Sequence, residues 1–353
     1  MPTQVQVSRV LGAVVMVAIG AAAAGPGWAL DAQPRYEGYA QTTFLPYLNA
    51  TGAELRRTPA LGLSFEGGRV HRATMDSGST GVVVGATSIP NLERLPKIAD
   101  GQLTYTSSGR IMVGQWVLTP LTIHGAGGSR IETEAMPVLA VTQVRCMPRA
   151  RNCDPHESVR HIGMIGIGFA RQYDRQPQST PDKNPFLRMA GGDSAGERRS
   201  GYILTPQGVH VGLTAANTRG GFRYIKLDAQ EDRSDWSAVP ACISIDRATP
   251  LSCGTMLVDT GVADMYMTVS PAQAGAARGS LPPGTQVTIL AGSGAGLAEL
   301  YSFRVDDASP VAPRSIHLRV SRDRTFVNTS FRVLNAFDFL YDADGGYAGF
   351  RRR

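Results

Sequence analysis

Two stretches decide the fold: "ATMDSGSTGVVV", Ala73–Val84, and "MLVDTGVADMYM", Met256–Met267. Each is an apolar, strand-like run that ends on Asp-Ser/Thr-Gly, crosses a small residue or two and enters a second apolar run. A single tripeptide of this kind is an ordinary strand-to-turn exit. Here, however, the flanking residues draw Asp259 into the fold, and a buried carboxylate without a partner is costly. The repetition supplies the partner. Two copies of one loop, about one lobe apart, predict a duplicated architecture whose pseudo-twofold axis brings Asp76 and Asp259 together.

Two carboxyl groups at contact distance do not both ionise, so such a pair shares a proton over a useful pH range. One member takes a proton from water while the other offers one to a carbonyl oxygen. Gly78 and Gly261 permit the close approach of the loops. The hydroxyls of Ser77 and Thr260 are placed to tie one loop to the other, and Ser79 adds a hydroxyl beside the first aspartate.

The chain has 353 residues, 42% of them hydrophobic and 18% charged, which excludes a disordered polymer and a membrane bundle. Forty glycines and 22 prolines, without a period, favour many short strands joined by turns. The net charge of +6 comes from scattered arginines, densest at Arg351–Arg353. No element gathers basic residues with interleaved aromatics, so the expectation is a solvated basic surface and no nucleic-acid partner.

Residues 1–29 read as a signal peptide: Arg9, then the apolar "VLGAVVMVAIGAAAA", then small residues at Gly27 and Ala29, with cleavage after Ala29. An uncleaved anchor is the alternative. No other segment is long and apolar enough to span a bilayer, so the expectation is an exported protein, periplasmic or secreted. Four cysteines, Cys146, Cys153, Cys242 and Cys253, agree with export. They allow three connectivities, of which the local pairs Cys146–Cys153 and Cys242–Cys253 are the simplest. A zinc site from Cys146, Cys153, His156 and His161 lacks a familiar spacing.

The chain reads as mostly β in two lobes, 30–200 and 201–353. A polar segment, 30–47, leads in. The stretch 171–200, rich in proline, glycine and charge, reads as an exposed connection with one helical turn near Phe186. "SFRVLNAFDFLYD" is the last helical candidate, with apolar residues at Phe331, Leu334, Phe337, Phe339 and Leu340.

Taken together, the two Asp loops, the hairpin "LTYTSSGRIMVG", the strand "GMIGIGF" and the closing "LYDADGGYAGF" resemble a pepsin-like aspartic protease in content and order, over nearly all of the sequence after residue 29. A carboxylate pair that shares one proton is best known from that family, so the logic applied to Asp76 and Asp259 is inherited from it. The resemblance implies a bilobal β fold with a central cleft that takes an extended peptide. It also implies hydrolysis by a water held between Asp76 and Asp259, with Tyr105 and Gly109 on a flap closing over the substrate. The Cys242–Cys253 pair resembles a family disulfide. No cofactor or metal is called for, and with both aspartates in one chain the protein works as a monomer.

Three positions depart from the family pattern. Val262 stands where a hydroxyl residue usually follows the second Asp-Thr-Gly, which should raise the dyad's pKa. Val83 replaces a tryptophan that supports the flap tyrosine. Asn328-Thr329-Ser330 replaces an apolar-apolar-Gly triplet. Rival motifs are weaker: Gly192-Asp193-Ser194-Ala195-Gly196 matches a serine-nucleophile pattern but lacks its strand and helix, and "AGSGAG", Ala291–Gly296, lacks the Lys-Ser/Thr of a phosphate loop. The competing class is a catalytically inactive relative that binds peptide or glycan without cutting.

Overall fold

Glycine-bracketed apolar runs become strands because their side chains fill both faces of buried sheets, as in Thr80–Gly85, where every residue is buried. In a computed structural model the described residues are Met1 and 33–353, apart from 149, 151–152, 156–158, 173–175, 192–197 and 233. The fold is mostly β, and Asp31–Arg353 forms one compact unit. The signal peptide, His156 of the zinc set and Gly192–Gly196 lie outside the described residues.

Among the described residues the strands form three sheets, of nine, seven and six strands. The nine-stranded sheet runs from Ala60 to Ile167 and the seven-stranded sheet from Val239 to Asn328. One arrangement occurs in both. Gly163–Ile167 inserts between His71–Asp76, to which it is parallel, and Thr80–Gly85, to which it is antiparallel. Phe326–Asn328 inserts in the same way between Ser252–Leu257 and Met265–Val269. The registers correspond. Two residues before Asp76, Thr74 faces Met164, which faces Val83. Two residues before Asp259, Leu257 faces Asn328, which faces Tyr266. Asn328 therefore occupies the place of Met164.

The six-stranded sheet joins distant parts of the chain, in the order Thr43–Pro46, Gly208–Leu213, Arg199–Leu204, Phe337–Asp342, Tyr347–Arg352 and Arg223–Lys226. Asp342 is fully buried there. It accepts two hydrogen bonds from Arg199, at 2.9 and 3.0 Å, one from Tyr36 Oη at 3.2 Å and one from Gly345 N at 2.9 Å. These bonds satisfy a charge that would otherwise exclude Asp342 from a sheet interior.

Four expectations need correction. The leading segment is not only polar coil, because Thr43–Pro46 pairs antiparallel with Gly208–Leu213. The described part of 171–200 is not an exposed connection: Arg171, Gln176, Ser179, Asn184 and Phe186 are all buried. Its polar side chains satisfy backbone groups, as where Asn184 Nδ2 donates to the Ile167 carbonyl at 2.8 Å. The last helix is a short 3-10 turn, Phe331–Asn335, and Phe337–Asp342 is a strand between two partners. Arg351 is no solvated charge; it donates to Asp338 at 2.7 and 3.0 Å and lies 4.4 Å from the Phe222 ring centre.

Candidate active site

The two Asp loops meet, and each builds the other. Ser77 N donates to Thr260 Oγ1 at 2.9 Å, and Thr260 N donates to Ser77 Oγ at 3.1 Å. Each hydroxyl then donates to the carbonyl just ahead of the opposite aspartate: Ser77 Oγ to Val258 O at 2.6 Å, Thr260 Oγ1 to Met75 O at 2.8 Å. All of these groups are buried, so every bond replaces solvation that is absent there. The glycines are required by the crossing. A Cβ on Gly261 would stand 2.5 Å from Asp76 Oδ1, and one on Gly78 would run into the Asp259 carboxylate.

Asp76 and Asp259 are 4% and 6% exposed, and each carboxyl group lies against the glycine of the other's loop. Asp76 accepts from Gly78 N at 2.7 Å and from Ser79 Oγ at 2.6 Å. Asp259 accepts from Gly261 N at 2.8 Å. Its second donor is Asn328, whose Nδ2 bonds to Oδ2. Asn328 is oriented in turn by Ser330 N, which donates to its Oδ1 at 3.1 Å. The amide thus does at Asp259 what the Ser79 hydroxyl does at Asp76. Val262, which has no hydroxyl, leaves no vacancy.

Burial, and then the charge of Asp76, push the Asp259 carboxyl up to about 7. The Asn328 amide and the Arg171 guanidinium act in the opposite direction. Arg171 is itself buried and donates from Nε to the Gly78 carbonyl at 2.9 Å, so a cation is fixed beneath the first loop. A pair of this kind holds one proton and presents one acceptor, the condition for general acid–base work on a water molecule.

Tyr105 ends Lys97–Tyr105, which pairs with Arg110–Thr119. Its ring belongs to a buried cluster with Val83, Leu103, Met112 and Trp116. Its hydroxyl lies in the field of Asp76, near Ser79 but outside bonding geometry, and makes no hydrogen bond among the described residues. Val83, in the same buried cluster, has no hydrogen-bonding group to offer the phenol. Gly109 is tied to the chain beside the hairpin. Its positive φ of 74° closes the hairpin turn, its carbonyl accepts from Met147 N at 2.8 Å, and a Cβ there would meet Ala150.

Cys146 is joined to Cys153 and Cys242 to Cys253. The first bond removes both thiolates from the zinc set. Among the described residues no helix is long and apolar enough to cross a membrane. Two functional residues are not evident from sequence. Asn328 gives a signal only as a polar residue in an apolar slot, and Arg171 gives none beyond its place in a polar run. A cavity of about 720 Å³ lies behind the loops, lined by Ser77, Arg171 and Val258 among others but by neither aspartate. No family model matches the chain, and no curated protein matches it.

Proposed function

We propose that the protein is an aspartic endopeptidase of the pepsin-like, bilobal kind, exported, acting as a monomer on extended peptides. The observation that carries the reading is the reciprocal crossing of the two Asp loops, which buries both aspartates at one place, and two buried carboxyl groups so placed share a proton. Water bound to the pair loses a proton to Asp76 while its oxygen bonds to the scissile carbonyl carbon. Asp259 gives its proton to the carbonyl oxygen, forming a neutral tetrahedral diol. Collapse breaks the C–N bond: one diol hydroxyl returns its proton to Asp259 as the C=O bond re-forms, the leaving amine nitrogen takes the proton held on Asp76, and the pair is left with one proton and no acyl-enzyme. Donors on each carboxylate, Ser79 on one and Asn328 on the other, favour turnover over a binding-only role.

The test is turnover of a fluorogenic peptide library from acidic to neutral pH by the wild-type chain, Asp76→Asn and Asp259→Asn, with and without pepstatin. Cleavage abolished by either substitution and by pepstatin supports the reading. Peptide binding without cleavage by the wild-type chain replaces it with the binding module.

A further inference from the structure

One face of the seven-stranded sheet leads outward from Asp259. Asn328, which donates to Asp259, pairs directly with Tyr266, and Tyr266 pairs with His317 on the next strand. Directly opposed residues project to the same face, so Asn328, Tyr266 and His317 form a row across three strands. The alternate residues Met265, Met267, Ile316 and Leu318 are buried in the core on the opposite face. Exposure rises along the row: Asn328 is buried, Tyr266 half-buried and the His317 side chain 52% exposed. The row therefore opens from the carboxylates to solvent.

Its chemistry is fixed by an ion-pair cluster. The His317 ring stacks on Tyr266, with centroids 4.7 Å apart and planes 16° from parallel. Asp264 accepts from Arg314 Nε at 3.0 Å and from Nη2 at 3.2 Å, with His317 Nε2 at 3.5 Å. The acid is the covered member, its side chain 17% exposed, whereas that of Arg314 is 73% exposed. Arg314 holds the Asp264 carboxyl below the ordinary carboxylate range despite its partial burial. Arg319, two residues beyond His317, projects from the same face and is also exposed. What this wall offers an incoming chain is guanidinium, imidazole and phenol donors, with the acceptor tucked behind them.

We propose that Tyr266, His317 and Arg314 form a substrate-selecting subsite that takes an aspartate or glutamate side chain. The inference rests on the endopeptidase reading above. Strands lie about 4.8 Å apart and an extended peptide advances about 3.3 Å per residue, so the selected side chain falls within about three residues of the scissile bond.

The experiment is a positional-scanning library of neutral, acidic and basic peptides, read both as kcat/KM and as binding by fluorescence anisotropy. The chains compared are wild type, Arg314→Glu and Arg314→Lys. The wild-type chain should favour Glu over Gln at one position by about two- to fivefold, the size of an ion pair to an exposed guanidinium. Arg314→Lys should keep that preference, and Arg314→Glu should transfer it to Lys. If Arg314→Glu does not fold, Arg314→Gln carries the comparison, with the preference lost rather than reversed. Cleavage with no acidic preference, or a preference unchanged in the Arg314 variants, overturns the subsite and leaves the endopeptidase standing. Binding with the expected preference but no cleavage keeps the subsite and overturns the endopeptidase.

Discussion

Asp259 is costly to ionise where it stands, and this makes two predictions at the level of single residues. Its carboxyl is raised by burial and by Asp76, so the folded chain holds that proton more tightly than the unfolded chain does. The stabilisation from this group is full below the ordinary carboxylate range and is lost as pH rises from there to about 7. Asp259→Asn should therefore raise Tm more at pH 8 than at pH 4.5, by an amount that thermal melts at the two pH values will read, while turnover falls by about a thousandfold or more. The second prediction concerns Asn328. Asn328→Leu removes a donor from ionised Asp259, so the alkaline limb of kcat/KM should move to higher pH. Adding Val262→Thr should bring it back. A profile unmoved by Asn328→Leu would show that the amide has no such role.

The hairpin Lys97–Thr119 is fastened at two places, each with a consequence for its motion. At its tip, the Gly109 carbonyl is bonded to Met147, next to the Cys146–Cys153 disulfide. Replacing both cysteines by serine should speed hydrogen exchange at 105–110 and change KM more than kcat. Along its edge, Gln178 Oε1 accepts from Gln102 N and from Trp116 Nε1, both at 2.8 Å. Gln178→Ala leaves the indole N–H without its partner and should cost about 1–3 kcal/mol in denaturant melts. These fastenings explain why the composition of 171–200 misleads. It is that of a loop, but Gln176 and Gln178 serve as backbone ligands for the hairpin and Asn184 for Gly163–Ile167. Nothing in local sequence distinguishes a solvated amide from one that caps a distant strand.

Over the whole molecule, what is legible in the sequence is what is local. The Asp-Ser/Thr-Gly loops, their glycines and the two short-range disulfides are written in adjacent residues, and the structure brings the loops together. Asn328 is hidden because its meaning depends on a register that sets it beside Asp259, 69 residues away in sequence. The closing segment misleads for a related reason: Phe337, Phe339 and Leu340 fit a helical face, yet the six-stranded sheet takes them as a strand buried on both sides. That sheet depends on the enclosed Asp342–Arg199 pair. Asp342→Ala should destabilise the fold by about 3 kcal/mol, since it removes the buried carboxylate from Arg199 and leaves only Asp344, 4.0 Å away, beside the guanidinium. The central claim is that Asp76 and Asp259 hold one proton between them, and carboxyl-carbon NMR titration, assigned with Asp76→Asn and Asp259→Asn, tests it most directly. The account predicts a carboxyl signal that keeps its proton to about pH 7 in the wild-type chain and loses it at lower pH once Asp76 is neutralised. Two aspartates titrating independently, each in the ordinary carboxylate range and each indifferent to the other's substitution, would contradict it.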